Sequence, residues 1–140
     1  MSVNIFTYGS LMYSTVWDRV VYGNYLASSA VLRGYARRTV RDELYPVAFE
    51  ARHEEFISGI VYYDVDPLDV YRLDCFEGEY YLRTSVNLDL PQLGKTSADV
   101  YIVKPRHKAI ISDQVWDPHH FQQNLLSEFI AGYEGFLSEG

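Results

Sequence analysis

Apolar and polar positions along this chain change period several times, and each change marks an element. Residues 3–8 (Val-Asn-Ile-Phe-Thr-Tyr) read as a first, mostly buried strand, which Gly9 and Ser10 break. From Tyr13 to Val21 the spacing turns helical: Val16 and Val20, and Trp17 and Val21, are i,i+4 pairs, and Ser14 offers an N-cap. A β-rich stretch follows. Ala27 to Val40, Tyr45 to Glu50 and Phe56 to Val65 carry branched and aromatic residues between polar turns, and Pro46 marks an edge or a strand start.

Asp66-Pro67 is a helix-start signal, an acceptor at the cap and then proline at the first helical position. Leu68, Tyr71 and Cys75 continue at helical spacing, and Gly78 is placed to end the helix. Tyr80 to Leu88 and Ala98 to Val103 read as two more strands. Asp117-Pro118 repeats the start signal. Phe121, Leu125 and Phe129 then line one side of a C-terminal amphipathic helix, with Leu126, Ile130 and Tyr133 beside them. Helices do not alternate with single strands, so a doubly wound parallel sheet is disfavoured. The expected class is α+β, a mixed sheet or small barrel flanked by helices.

Composition narrows this further. The 140 residues are the size of one domain, 1–140, with 48% hydrophobic and 22% charged residues, enough apolar surface for a core. The net charge of -7 opposes binding to nucleic acid or to an acidic membrane surface. Arg33, Arg37, Arg38 and Arg41 are a local exception. On a strand Arg37 and Arg41 share one face and Arg38 the other, which suggests a solvated edge strand rather than a binding patch. Cys75 is the only cysteine, so no internal disulfide is expected. It reads as a core thiol rather than a nucleophile. Neither a basic leader nor a bilayer-spanning apolar run is evident, and a cytoplasmic location fits. The 13 tyrosines suit strands, and also the walls of a cleft.

Two segments offer chemistry. In Phe6-Thr7-Tyr8-Gly9-Ser10-Leu11-Met12, Gly9 gives the backbone conformational freedom and lets a ligand approach. Amides following it near a helix start would suit a carboxylate or phosphate; the alternative is a plain strand-to-helix turn. In Leu73-Asp74-Cys75-Phe76-Glu77-Gly78-Glu79, Asp74 and Glu77 share a helical face at i,i+3. Crowded carboxylates raise one another's pKa toward the range of a general acid/base. The alternative is a solvated helix end, although acids are disfavoured at the negative end of the helix dipole. His107, His119 and His120 lack the spacing of metal ligands. Ser10 lacks the Gly-x-Ser-x-Gly elbow. Asp99 and the stretch Lys104-Pro105-Arg106-His107-Lys108 read as solvated surface.

Both motifs, with Tyr81-Leu82-Arg83 after them and Tyr45-Pro46 and Gly59 between, resemble the γ-glutamyl cyclotransferase-like family, which includes avirulence-induced-gene-like proteins and γ-glutamylamine cyclotransferases. The resemblance covers roughly residues 6–86. It implies a small mixed β-barrel with flanking helices. It implies an enzyme that releases 5-oxoproline from a γ-glutamyl small molecule, with Glu77 as acid/base and no metal, nucleotide or redox cofactor. It places substrate contact on Tyr8, Gly9, Ser10, Leu11 and Tyr81. Two departures stand out: Ile60 follows Gly59 where many relatives carry an acid, and Glu79 competes with Glu77 as the working carboxylate. A ligand-binding module without turnover, and an enzyme cleaving a related γ-glutamyl amide, are the alternatives.

Overall fold

In a computed structural model, residues 2–41, 43, 45–91 and 94–131 are described. Strand β1 (Val3–Thr7) pairs antiparallel with β5 (Phe56–Val65), and β5 pairs with β2 (Ala27–Arg33). β2 meets β6 (Tyr81–Leu90), and β6 forms a long antiparallel ladder with β7 (Gly94–Val103). β7 then closes on β1 through a parallel pair, Ile5 beside Asp99 and Phe6 beside Val100. The result is a closed five-stranded barrel in the order β1-β5-β2-β6-β7. Inward residues from all five strands fill it: Phe6, Leu32, Val61, Leu88 and Val100 belong to one buried cluster. Closure removes the exposed edges that an open sheet would carry.

Gly34, at φ +82°, ends β2, and the chain leaves the barrel there. The run expected over Ala27–Val40 is therefore two strands in two sheets. β3 (Tyr35–Val40) is the centre of a three-stranded sheet, between β4 (Pro46–Glu50) and β8 (Ile111–Val115), a strand the hydrophobic pattern did not reveal. The solvated edge expected for the arginine stretch is thus corrected. β3 has a partner on each side, and Arg37 is half-buried. Pro46 starts β4, which lies at the edge of its sheet, where its missing N–H does no harm.

Helix α1 (Ser14–Val20) buries Val16, Trp17 and Val20, and the Trp17 ring stacks on Tyr62 of β5 with centroids 3.6 Å apart. Ser14 does not cap it. It is the first helical residue, and Tyr13 occupies the cap without a side-chain bond. Helix α2 (Pro67–Glu77) starts as expected: Asp66 accepts the Leu68 amide at 2.9 Å. Its periodicity is as read, but its orientation is not. Leu68, Tyr71 and Cys75 face solvent, while Asp69, Val70 and Leu73 are buried. Asp69 is what rotates the helix. Only 2% exposed, it accepts the Tyr22 and Gly23 amides, the Tyr25 hydroxyl and the Arg72 guanidinium. Burial raises its pKa, but these four donors outweigh that and hold it at about 2. The Cys75 thiol is accordingly at the surface and not in the core.

The C-terminal helix opens at Pro118–His120, with Asp117 accepting the His119 amide, and widens into a π-helical turn over Phe121–Leu125. It continues to residue 131; Tyr133 lies outside the described residues. Phe121 and Phe129 pack face to edge, and Phe129 meets Phe76 at the end of α2. Among the described residues no helix is long and apolar enough to cross a membrane.

Gly59 sets the spacing of β1 and β5. A Cβ there would stand 2.2 Å from the Thr7 carbonyl oxygen and 2.7 Å from the Phe6 ring. Backbone on one side and a packed barrel on the other leave no path for relaxation. Gly59→Ala is expected to destabilise the fold by at least about 2 kcal/mol, read as a drop in the urea midpoint at unchanged slope.

Candidate active site

Tyr8 follows β1 directly and is buried; its hydroxyl donates to the Tyr101 carbonyl at 2.5 Å. Gly9 comes next at φ -127° and ψ -135°. Its φ is negative, so no left-handed backbone is required of it. What requires glycine is proximity: a Cβ would sit 2.9 Å from two ring carbons of Pro46. A tight 3-10 turn, Ser10–Met12, follows, closed by Met12 donating to the Gly9 carbonyl and Tyr13 to that of Ser10. The amides of Gly9, Ser10 and Leu11 have no protein acceptor among the described residues. Unpaired amides at the start of a helical turn form a ready cradle for an anion.

Glu77 approaches from the other side as the last residue of α2. Gly78, at φ +79°, then turns the chain outward, its amide donating to the Asp74 carbonyl at 3.1 Å. Glu79 is therefore exposed and outside the cavity, whereas Glu77 lines it. One cavity of about 510 Å³ joins Tyr8, Gly9, Ser10 and Leu11 to Glu77 and Tyr81. All six residues expected at the site from the sequence thus border one space of the size that holds a small metabolite.

Burial pushes the Glu77 carboxyl up to about 8, and the negative charge of Asp74 adds to this. Glu77 retains some exposed surface, and it faces the cavity. Asp74 is tied down separately. It accepts the Tyr101 hydroxyl at 2.6 Å and Arg83 Nε at 3.0 Å, and Arg83 also reaches Asp99 at 2.6 Å. Asp99 and Arg83, read as surface and as a motif neighbour, therefore belong to the support of the site.

Tyrosines form much of the wall. Burial first, and then the charges of neighbouring groups including Glu77, raise the pKa values of Tyr8 and Tyr81, which keeps both phenols neutral. Tyr45 is pushed up to about 12, again mainly by burial. Tyr81 donates to the Pro46 carbonyl at 2.8 Å, locking β6 against β4 beside the Gly9 contact. Residues that the sequence reading left without a role complete the lining: Tyr101, Phe76, Glu43 and, from the C-terminal helix, Glu128 and Phe129. Phe129 was visible in the amphipathic stripe, but its neighbour in the fold was not. Among the described residues of the lining, the carboxyl groups are those of Glu43, Glu77 and Glu128, and no basic side chain joins them. The histidines lie elsewhere: His107 packs edge-on against Tyr80, and His119 and His120 sit at the start of the C-terminal helix.

Comparison with known proteins gives a consistent picture. Residues 5–118 match the family described as gamma-glutamyl cyclotransferase, AIG2-like. The fold is similar to that of an Arabidopsis thaliana protein solved in solution, with a TM-score of 0.72 and 22% identity over 98% of this chain and 82% of that one. It is similar to a mouse AIG2-like protein, with a TM-score of 0.61 and 18% identity over 84% of this chain and 92% of that one. A yeast γ-glutamyl cyclotransferase specific to glutathione is also similar, with a TM-score of 0.62 and 15% identity over 82% of this chain and 75% of that one. At these identities the likeness is one of fold. No match is found among curated proteins.

The elevated Glu77 carboxyl has a consequence for stability. The folded protein holds this proton up to about pH 8, while the unfolded chain releases it near 4.5. The stability it contributes is complete below the lower value and is lost as pH rises through the higher one. Glu77→Gln cannot ionise, so its stability relative to wild type is expected to grow between pH 5 and pH 8 and to level off above. Paired thermal melts across that range test this; a difference that stays flat with pH would rule out the elevated pKa.

Proposed function

Because the chain belongs to the gamma-glutamyl cyclotransferase, AIG2-like family, we propose that it cyclises a γ-glutamyl compound to 5-oxoproline and a free amine or amino acid. The observation that carries this reading is the joining, in one cavity, of an unpaired amide turn and a carboxyl whose pKa stands near neutrality. The Gly9-Ser10-Leu11 turn holds the α-carboxylate of the glutamyl group. That leaves the α-amine and the γ-carbonyl on the Glu77 side.

The nucleophile is part of the substrate, so the protein needs none. Holding the chain folded with amine and carbonyl in contact converts a floppy encounter into a positioned one. Glu77, as carboxylate, takes a proton from the amine as it attacks the γ-carbonyl carbon. The new C–N bond closes the five-membered ring. Glu77 then delivers its proton to the departing nitrogen as the old C–N bond breaks, and returns to the carboxylate form. A pKa near 8 suits both halves, since neither proton transfer is far uphill at neutral pH. The neutral phenols of Tyr8 and Tyr81 keep this part of the wall free of charge.

The test is a panel of γ-glutamyl amines and peptides assayed for 5-oxoproline, with wild type, Glu77→Gln and Glu79→Gln side by side. Wild type and Glu79→Gln are expected to turn over at similar rates, with kcat/KM rising with pH toward a limb near 8, and Glu77→Gln to lose at least about 100-fold. Activity that survives in Glu77→Gln and disappears in Glu79→Gln would reverse the assignment. A panel without turnover, but with a bound ligand, would make this a binding module.

The turn makes its own prediction. Gly9→Val forces a side chain onto Pro46 and displaces the amides, so it is expected to raise KM far more than Ser10→Ala does. Comparable KM values for the two variants would remove the cradle from the mechanism.

A further inference from the structure

Arg37 is half-buried on the central strand of the three-stranded sheet. Its Nη1 donates to the Tyr8 carbonyl at 2.8 Å, and its guanidinium lies 5.2 Å from the centre of the Trp116 ring. Burial lowers its pKa, and the nearby Tyr13, Tyr8 and Asp117 counter this. Yet it forms no ion pair among the described residues: the Asp117 carboxylate accepts the His119 amide instead. A half-buried cation whose nearest carboxylate is not in ion-pair contact is only partly compensated, and an anion nearby would favour it.

The position of Arg37 shows where that charge belongs. The Tyr8 carbonyl and the Gly9 N–H are two ends of one planar trans peptide, and they point in opposite directions. Arg37 does not line the cavity, whereas Tyr8 and Gly9 do. By holding the carbonyl, the guanidinium fixes the peptide so that its N–H faces away from Arg37. It also polarises that N–H, because hydrogen bonds in series strengthen one another.

We propose that Arg37 is the positioning residue of the carboxylate cradle: it orients the Tyr8–Gly9 peptide from behind and supplies, through it, the positive charge that selects an anionic α-substituent on the ligand. This rests on the reading of the Gly9-Ser10-Leu11 turn as the carboxylate site. The ligand class it implies is one with a free α-carboxylate, as against an α-carboxamide or ester of the same shape.

Calorimetric titration with 5-oxoproline and with its uncharged carboxamide tests this without requiring turnover. Wild type is expected to prefer the carboxylate by about 10-fold or more, the scale of a hydrogen bond to a charged group. Arg37→Gln keeps a donor for the Tyr8 carbonyl but not the charge, and Arg37→Met keeps only the stem against Trp116. Both are expected to bring the preference within about 3-fold, and Arg37→Lys to retain most of it. Circular dichroism identifies which neutral variants are folded, and either one suffices. A folded neutral variant with the wild-type preference overturns the role of Arg37 alone. A wild type that does not distinguish the two ligands overturns the cradle itself.

Discussion

Everything at the site depends on the closure of the barrel by β1 and β7. This parallel contact joins the start of the chain to residues nearly a hundred positions later, and it is short: Ile5 with Asp99, and Phe6 with Val100. Two residues on, the same alignment puts the Tyr8 hydroxyl on the Tyr101 carbonyl. The Tyr101 hydroxyl then reaches Asp74 on α2, one helical turn before Glu77. The amide turn and the carboxylate thus face each other because one strand pair aligns their supports. Neither motif contacts the other through sequence proximity.

The charges around the cavity are arranged with a consistent logic. Arg83 pairs with Asp74 and Asp99 on one flank, and Arg37 stands behind the amide turn on another. Among the described residues no arginine or lysine lines the cavity itself. Nothing among the described residues lowers the Glu77 pKa: burial raises it, and the charge of Asp74 adds to this. Asp69, on the same helix, shows the opposite treatment: it is buried too, but four donors keep it ionised. A single helix carries one carboxyl held ionised by its donors and another held protonated by burial.

Local signals revealed most elements and both motifs. The Asp66-Pro67 start, the Gly78 stop and the strand at residues 56–65 stand where the sequence placed them, because each depends on near neighbours. What escaped depends on tertiary partners. The exposed side of α2 looked like its core side because Leu68, Tyr71 and Cys75 have the right spacing, and only the Asp69 network reveals the rotation. The strand at Ile111–Val115 has a weak pattern of its own and exists by pairing with Thr39's strand. Gly9 was read for backbone freedom, but its constraint is Pro46, 37 residues away. Glu79 was indistinguishable from Glu77 until the Gly78 turn separated them.

The C-terminal helix brings Glu128 and Phe129 to the cavity, and both lie beyond the family match, which ends at residue 118. The Gly9-Ser10-Leu11 turn and Glu77 lie within the matched stretch, while one panel of the wall comes from residues after it. On the proposed reading, the reacting groups and this part of the wall therefore come from different stretches of chain. A change at Glu128 or Phe129 alters the wall without altering the turn or the Glu77 carboxyl itself. Only the cavity-facing positions are open to such a change, because Phe121 is buried and Phe129 packs on Phe76 next to Glu77.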